Sequence, residues 1–312
     1  MQNIKGFASR TAGPAIGIRT SATTLADIRK AVQPRDIFTD KRGNGTVLVI
    51  AGSSRYHGAP SLACSAAQNM LAALRTGAGY AVAYVPIAIR DIVRRQSPAI
   101  IVNALGSDHI IFNSEIREAV SKADAVAIGM GIGRETSTLR QAALILDHCF
   151  MLSKKVVIDA DAIYAVRYTK SGMNGNVAVT PQGREFRELF GKSPSHGDDN
   201  ARISAAAALA GRLGANIILK GHRSIITNGS VAKINMAGSS ALATMGTGDV
   251  LSGIIAGFAA AGAPMFDAAV AGVCLHSKIG DELARKMGNH IISTDVVESI
   301  PAVMKKFDKN KR

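Results

Sequence analysis

The chain has 312 residues, of which 47% are hydrophobic, and its formal net charge is +14. A chain of this length and composition can bury a full core as one large domain or two small ones. Its longest uncharged apolar run, residues 250–266, is interrupted by glycine and proline and is too short for a membrane span. We therefore expect a globular protein with no membrane-spanning segment.

The excess positive charge is concentrated at the two ends of the chain. Residues 1–45 hold eight basic and three acidic side chains, and residues 301–312 hold five and one, so the middle of the chain is only mildly basic. No aromatic-rich strand or recognition motif accompanies this charge, so we predict no nucleic-acid partner. A mildly basic body suits small anionic ligands instead.

The three cysteines predict a reduced, intracellular protein. Cys64, Cys149 and Cys274 are widely spaced in apolar segments and form no CxxC pair. This pattern is typical of buried thiols and not of a disulfide or zinc framework. We therefore expect a cytoplasmic location and no metal site built from protein ligands alone.

The N-terminal segment differs in composition from the rest. Residues 1–25 contain arginine, serine and threonine but no acidic residue, which resembles a transit peptide in composition. We interpret this segment as a loosely ordered arm that leads into a helix at 25–32. The N-terminal arm, with this helix, spans residues 1–33. The remaining chain divides into one domain at 34–304 and a basic tail at 305–312.

The first clear element is a βαβ unit. The continuous apolar run 46–51 ends in glycine and serine, which is typical of a buried strand that enters a loop. Residues 61–76 have helical spacing, glycines at 77 and 79 end that helix, and residues 80–85 form the next strand. Two parallel strands joined by a helix indicate an α/β domain.

The pattern continues to the C-terminal region. Further strands are predicted at 123–128, 156–159, 177–180, 217–220, 223–227 and 231–235, and the last two flank the hairpin dipeptide Asn228-Gly229. After Asp249 the chain is mostly helical. We predict a three-layer α/β/α sandwich whose central, mostly parallel sheet binds ligands at the carboxyl ends of its strands.

Polar and glycine residues cluster at these strand ends. Gly129-Met-Gly-Ile-Gly133 predicts either a tight turn or a ligand contact, and arginine at position 134 breaks the dinucleotide pattern GxGxxG. No GxxxxGK[ST] motif occurs, which excludes P-loop NTPases. Asp159 and Asp161 either hold Mg²⁺ through water or cap the next helix, and Lys220 is a candidate phosphate ligand.

The segment 243–253 combines three glycines, two threonines and one carboxylate with the start of an apolar helix predicted at 250–261. The unpaired first amides of a helix and its dipole form a site for phosphate oxygens. Asp249 either caps this helix or removes a proton from a hydroxyl that attacks the phosphate, and its glycine-rich surroundings favour the second role. A position at a helix N-terminus predicts a depressed pKa for Asp249.

The motifs together resemble the NAD(P)H-hydrate dehydratase family of the ribokinase-like superfamily, over about residues 34–302. The GTGD motif at 246–249 is shared by the superfamily, whereas the other segments make the resemblance specific. These segments are Gly52-Ser-Ser with Gly58-Ala-Pro60, Arg75-Thr-Gly-Ala-Gly79, Gly129-x-Gly-x-Gly133, Asp159-Ala-Asp-Ala162, Thr180-Pro-x-x-x-Glu185-Phe and Leu219-Lys-Gly221. Nothing in the sequence resembles the epimerase domain that often precedes this one, so we expect a stand-alone dehydratase domain.

The resemblance implies repair of hydrated NADH and NADPH. ADP or ATP phosphorylates the ring hydroxyl, with Mg²⁺ accompanying the nucleotide, and phosphate elimination restores the dihydronicotinamide. The resemblance assigns Asp249 as the catalytic base. Residues that match the substrate site are Ala59, Gly131, Gly133, Gln182 and Asp249, and those that match the nucleotide site are Lys220, Gly221, His222, Arg223, Ser224, Gly246, Thr247 and Gly248.

Two positions depart from the family pattern. Gln182 stands where the family usually has histidine; it can still form hydrogen bonds but cannot titrate. Residues 238–241 replace the family's usual GNP, which leaves the local loop geometry open. His57 lies in a matching loop and is a candidate phosphate contact.

Two other functions are compatible with the sequence. A small-molecule kinase of the same superfamily, of the hydroxymethylpyrimidine or sugar type, would share Asp249 and stop at the phosphate ester. A non-catalytic nucleotide-binding protein is the other alternative, and the intact GTGD motif disfavours it. The resemblance further implies a homo-oligomer, commonly a tetramer, and leaves the choices of ADP or ATP and of NADHX or NADPHX open.

Overall fold

Ten strands form one sheet in the computed structural model, which describes residues 17–54, 59–191 and 198–309. The strands are β1 (Arg19–Ala22), β2 (Thr46–Ile50), β3 (Tyr80–Pro86), β4 (Ile101–Leu105), β5 (Ala125–Ile128), β6 (Lys155–Ile158), β7 (Val177–Val179), β8 (Asn216–Leu219), β9 (Ile225–Thr227) and β10 (Val231–Ile234). Their order across the sheet is β1-β10-β9-β8-β7-β6-β5-β2-β3-β4. Only β9 runs antiparallel to its neighbours in this sheet, so the predicted, mostly parallel sheet is confirmed.

Helices cover both faces of the sheet. They are α1 (Leu25–Ala31), α2 (Ala59–Thr76), α3 (Ile87–Arg94), α4 (Ser114–Lys122), α5 (Thr136–Met151), α6 (Gly183–Phe190), α7 (Asp199–Leu213), α8 (Thr247–Ala260), α9 (Met265–Met287) and α10 (Ser293–Met304). Short 3₁₀ segments lie at Ala160–Tyr168, Ser240–Leu242 and Lys305–Phe307. Among the residues that the structure describes, no helix is long and apolar enough to cross a membrane.

The strands divide their side chains between two hydrophobic cores, because successive side chains of a strand point to opposite faces. Within β2, Val47 and Val49 pack with α1, α2, α8, α9 and α10, whereas Leu48 and Ile50 pack with α4 and α5. Strands buried on both faces lose the alternation of polar and apolar residues and become continuous apolar runs. The three-layer α/β/α sandwich of the sequence prediction is therefore confirmed.

Two strands were not predicted from the sequence, and both lie at the edges of the sheet. β1 consists of Arg-Thr-Ser-Ala, and all four of its residues are exposed, so it carries no hydrophobic pattern. It pairs through its backbone with β10, with Arg19 opposite Val231. β4 includes Asn103 and pairs with β3. Edge strands are half-solvated, which explains why the sequence pattern does not reveal them.

The segment assigned to an N-terminal arm contributes to the fold in its second half. Helix α1 is where the sequence predicts it, and its buried Ile28 and Ala31 belong to the core that α8 and α9 share. Residues 19–22 therefore belong to the sheet, in contrast to the loosely ordered segment predicted there, whereas the helix at 25–31 agrees with the prediction.

The carboxyl ends of five neighbouring parallel strands meet at one edge of the sheet. In sheet order, the residues that follow β8, β7, β6, β5 and β2 are Lys220, Thr180, Asp159, Gly129 and Ala51-Gly52. All of these positions belong to motifs that the sequence singled out. The topology thus brings together segments that are up to about 170 residues apart in the chain, and it does so at the place where α/β sheets bind ligands.

Helices α2 and α8 are in backbone contact behind this edge. A Cβ on Gly253 would lie 2.2 Å from the carbonyl oxygen of Asn69, and one on Gly257 would lie 2.7 Å from that of Ala73. Side chains at these two positions would force the helices apart. The glycines thus allow α8 to pack closely on α2 and fix the position of the turn from which α8 starts.

We expect Gly253→Ala to destabilise the protein by about 1–3 kcal/mol, the usual cost of overpacking a core, because neither backbone can yield locally. Urea unfolding measures the change. Gly211→Ala is the matched control, since Gly211 is exposed in α7 and a Cβ there would meet no atom within 4 Å. That control should gain roughly 0.5–1 kcal/mol from helix propensity. Equal destabilisation by both variants would contradict the contact argument.

Candidate active site

A buried ion pair lies at the centre of this sheet edge. The Nζ of Lys220 is 2.8 Å from Oδ1 of Asp159, and the two side chains are 15% and 3% exposed. Asp159 also accepts hydrogen bonds from the Thr180 hydroxyl at 2.6 Å, from the backbone N–H of Ala160 at 2.8 Å and from the Ser252 hydroxyl. These contacts join β6, β7, β8 and α8 at one carboxylate.

The charge state of the pair follows from its contacts. Burial alone would raise the pKa of Asp159, but the charge of Lys220 and hydrogen bonds from Lys220, Ser252 and Thr180 bring that pKa below its ordinary value. Burial opposes the charge on Lys220, yet Asp159 and Glu185 raise its pKa. Both groups are therefore ionised at neutral pH, and a cation is held at the strand ends.

The glycine turn before α8 lies beside this cation. Gly246 has a φ of +86°, and a Cβ there would lie 2.6 Å from Oε1 of Gln68 and 2.8 Å from Oγ of Ser293. Only glycine fits such a backbone in such a space. A Cβ on Gly248 would lie 3.9 Å from Nζ of Lys220. The first amides of α8, which have no preceding helical carbonyl, thus start next to a positive charge.

Helix α8 begins at Thr247, earlier than the predicted start at residue 250, and Gly246 occupies the N-cap position. Asp249 is therefore inside the first turn and does not cap the helix. The Nδ2 of Asn69, which is fully buried in α2, donates to the backbone carbonyl of Asp249 at 3.0 Å. The contact between α2 and α8 thus reaches the candidate catalytic residue.

The predicted depression of the Asp249 pKa is wrong. Burial and the negative charge of Asp159 raise this pKa to about 6, against the lowering effects of a hydrogen bond from Ser65 and of the charge on Lys220. The helix terminus does not outweigh the loss of solvation. A carboxylate with a pKa near 6 is ionised at neutral pH and is a stronger base than an ordinary aspartate.

A cavity of about 650 Å³ opens beside the ion pair, a volume in the range of small-molecule sites. Seven of the predicted site residues line it: Gln182, Lys220, Gly221, His222, Ser224, Thr247 and Gly248. Arg223 does not belong to this lining, because its guanidinium pairs with Asp199 at 2.9 Å on the outer surface. Gly246 supports the turn from behind, between Gln68 and Ser293.

Gly131 and Gly133 follow β5, which lies on the other side of β6 from β7 and β8. Gly131 and Gly133 have φ values of +63° and +93° and form the turn after β5. The backbone N–H of Gly133 donates to Asp161 Oδ2 at 3.0 Å. Ala59 is the first residue of α2. His57, the candidate phosphate contact, lies outside the described residues.

Sequence reasoning missed one wall of the cavity. Asn235, Gly238, Leu251, His276 and Ser277 line it, and the last two lie in the middle of α9. Asn235 Nδ2 donates to Ser277 Oγ at 2.8 Å, which joins β10 to α9. A polar residue inside a long helix with no motif around it gives no signal of its function; the only sign is its position on an apolar face.

The acidic residues after β6 do not form a metal cage. Asp159 caps the 3₁₀ segment that follows and binds Lys220, and Asp161 binds Gly133 and Arg134. Among the residues described, no three histidine, cysteine or carboxylate side chains are grouped to hold a metal.

Comparison with known proteins shows the family to which the chain belongs. The sequence profile of the NAD(P)H-hydrate dehydratase family matches residues 47–302. An ADP-dependent (S)-NAD(P)H-hydrate dehydratase from Cenarchaeum symbiosum is 35% identical over 289 residues, which are 91% of this chain and 96% of that protein. The bifunctional NAD(P)H-hydrate repair enzyme Nnr from Methanothermobacter thermautotrophicus is 34% identical over 85% of this chain, and the chain spans about half of that protein's length.

A solved structure shows the same fold. The ADP/ATP-dependent NAD(P)H-hydrate dehydratase from Bacillus subtilis, co-crystallised with ATP and Mg²⁺, superimposes with a TM-score of 0.75 at 26% identity. The match covers 91% of this chain and 98% of the Bacillus subtilis chain.

We expect Asp249→Asn to raise the thermal stability of the protein at pH 8. The folded-state pKa of about 6 lies above the ordinary value of 3.8, so ionised Asp249 opposes folding at high pH. This penalty shrinks as the pH falls through 6 towards 4, because Asp249 then becomes protonated in the folded state, and the gain should shrink with it. Thermal unfolding at pH 8 and pH 4 measures both.

Asp159→Asn should instead destabilise the protein, because it leaves Lys220 buried without its counter-charge. The free energy of unfolding should fall by about 3–5 kcal/mol. This variant is the control, since it removes the same charge a short distance away. Destabilisation by both variants at pH 8 would contradict the assignment of a raised pKa to Asp249.

Proposed function

Because the chain belongs to the NAD(P)H-hydrate dehydratase family, we propose that it dehydrates hydrated NADH or NADPH at the expense of ADP or ATP. The observation that carries the proposal is a basic aspartate in the first turn of a helix whose glycine-rich start adjoins a buried cation. Asp249, with a pKa of about 6, lies in the turn whose Gly248 adjoins the Lys220 ammonium. This arrangement suits the transfer of a phosphoryl group to a hydroxyl.

The nucleotide occupies the cavity in this proposal. Its terminal phosphoryl group lies against the amides of Gly246, Thr247 and Gly248, and Lys220 neutralises charge that builds up on the phosphoryl oxygens. Because Lys220 is already fixed by Asp159 at 2.8 Å, little reorganisation is needed when that charge develops. Gly221, His222 and Ser224 line the part of the cavity that would hold the rest of the nucleotide.

In this proposal the hydrated nicotinamide approaches from the side of Gly131 and Gly133 and reaches the cavity wall at Gln182. Asp249 takes the proton of the ring hydroxyl while that oxygen bonds to the phosphorus and the bond to the nucleotide's bridging oxygen breaks. The C–O bond then breaks, phosphate leaves with the electron pair, and the ring nitrogen lone pair assists its departure. Loss of a proton from the adjacent ring carbon restores the double bond. Phosphorylation is needed because hydroxide is a poor leaving group.

Magnesium belongs to the nucleotide in this proposal. When bound, it neutralises phosphate charge and helps to orient the transferred group. The chain's part is to leave room for a hydrated metal–phosphate complex in the cavity beside Lys220. Asp159 and Asp161 already bind Lys220 and Arg134, so the ligands of the metal would come mostly from the nucleotide and water.

The test is recovery of the near-ultraviolet absorbance of NADH after the protein is mixed with hydrated NADH, Mg²⁺ and either ADP or ATP. We expect recovery with release of phosphate, and the faster nucleotide identifies the donor. Repeating the assay with hydrated NADPH identifies the preferred substrate. Accumulation of a stable phosphate ester of another small alcohol, without recovery of NADH, would support the kinase alternative and refute the proposal.

The base is tested by the pH dependence of the same reaction. We expect kcat/KM to fall as the pH drops through about 6, because Asp249 is then protonated and cannot accept the hydroxyl proton. Asp249→Asn should lose on the order of 10²–10⁴ in kcat and the pH dependence with it. A pH profile that persists in this variant would assign the titration to another group.

We further infer a homo-oligomeric enzyme of the cytoplasm. Ile87 in α3 and Ile101 in the edge strand β4 are 55% and 45% exposed, which suits contact with a second copy. Cys149 and Cys274 are buried free thiols, as expected in a reducing compartment. Light scattering of the purified chain should give a mass several times that of one copy, and a monomer would contradict the proposal.

A further inference from the structure

Arg134 stands at the exit of the Gly129–Gly133 turn in a fixed position. Its Nε is 2.8 Å from Asp161 Oδ1, and its guanidinium carbon lies 4.2 Å from the ring centroid of Tyr164. A carboxylate on one edge and an aromatic face below restrict a side chain that is otherwise among the most flexible. The arginine is therefore pre-organised.

One carboxylate positions both the turn and the arginine. Asp161 Oδ2 accepts from the backbone N–H of Gly133 at 3.0 Å while its other oxygen binds Arg134. Asp161 is only 15% exposed, but the arginine side chain is 46% exposed. A guanidinium has five N–H donors, and the contact with Asp161 uses the one on Nε.

Arg134 belongs electrostatically to the candidate active site. Burial raises the pKa of Glu185, and both Lys220 and Arg134 counteract that effect, so both cations act on the same carboxylate. They nevertheless follow different strands, β8 and β5, with β7 and β6 between them. The sheet edge therefore presents two separate cations, of which Lys220 adjoins the turn assigned to the nucleotide.

We propose that Arg134 binds a phosphate group of the dinucleotide substrate. The inference rests on the proposed function, which places the hydrated nicotinamide beside Gly131 and Gly133, immediately before this arginine. A planar, pre-organised guanidinium next to a glycine turn suits bidentate recognition of phosphate oxygens. Two phosphate sources share this chemistry: the diphosphate bridge, present in both substrates, and the 2′-phosphate, present only in hydrated NADPH.

The test compares Arg134→Ala and Arg134→Lys with the wild type. We expect Arg134→Ala to raise KM for the hydrated dinucleotide about tenfold or more, with kcat and the KM for ADP or ATP nearly unchanged. Arg134→Lys should recover part of the loss, because it keeps the charge without the fork. Equal losses with hydrated NADH and NADPH assign the diphosphate, and a loss confined to hydrated NADPH assigns the 2′-phosphate.

Arg117→Ala is the matched control, because Arg117 also stacks on an aromatic ring, 4.9 Å from the centroid of Phe112, but lies in α4. Its kinetics should match the wild type. Unchanged KM values in Arg134→Ala, or a rise in KM for the nucleotide instead, would overturn the proposal.

Binding of NADPH and NADH by titration calorimetry separates this inference from the proposed function. If the wild type is active and Arg134→Ala binds NADPH and NADH as tightly as the wild type does, the arginine site alone is refuted. A wild type without dehydratase activity refutes the proposed function, and in that case weaker NADPH binding by Arg134→Ala would still support the site.

Discussion

The ion pair between Asp159 and Lys220 is the constraint on which the arrangement of this site depends. Burying either charge alone would cost several kcal/mol, so each requires the other. Asp159 also accepts hydrogen bonds from Thr180 and Ser252. Asp159, Thr180 and Lys220 directly follow β6, β7 and β8, and Ser252 lies in α8. A lysine that must remain beside Asp159 cannot swing into solvent. The position of the cation is thus fixed by the order of the strands that carry the two residues.

Helix α8 connects this ion pair to the second carboxylate. Ser252 and Asp249 lie almost one turn apart in α8, so the hydrogen bond from Ser252 to Asp159 and the position of Asp249 are set by the same rigid element. Close backbone contact at Gly253 and the hydrogen bond from Asn69 hold this helix against α2. Packing of two helices in the core therefore determines where the candidate base lies relative to the cation.

The sequence sufficed for the architecture and for most of one side of the site. Continuous apolar runs such as Thr46–Ile50 identify buried parallel strands, and the turns after them identify the ligand-binding edge. It did not suffice for β1, whose four exposed residues have no apolar pattern, or for Ser277, which a long helix brings to the cavity. Both depend on contacts between segments distant in the chain, which local patterns do not encode.

The pKa of Asp249 also depends on contacts between distant segments, which local sequence patterns do not encode. Local reasoning from a helix N-terminus predicts a lower pKa, whereas burial and the neighbouring Asp159 raise it to about 6. Two carboxylates at one site thus have opposite shifts, because Lys220 contacts Asp159 directly and affects Asp249 less. Divergent shifts of this kind distinguish a charge that holds structure from a group that exchanges a proton. On this ground Asp159 is the fixed anion that positions the Lys220 cation, and Asp249 is the group suited to remove a proton from a hydroxyl.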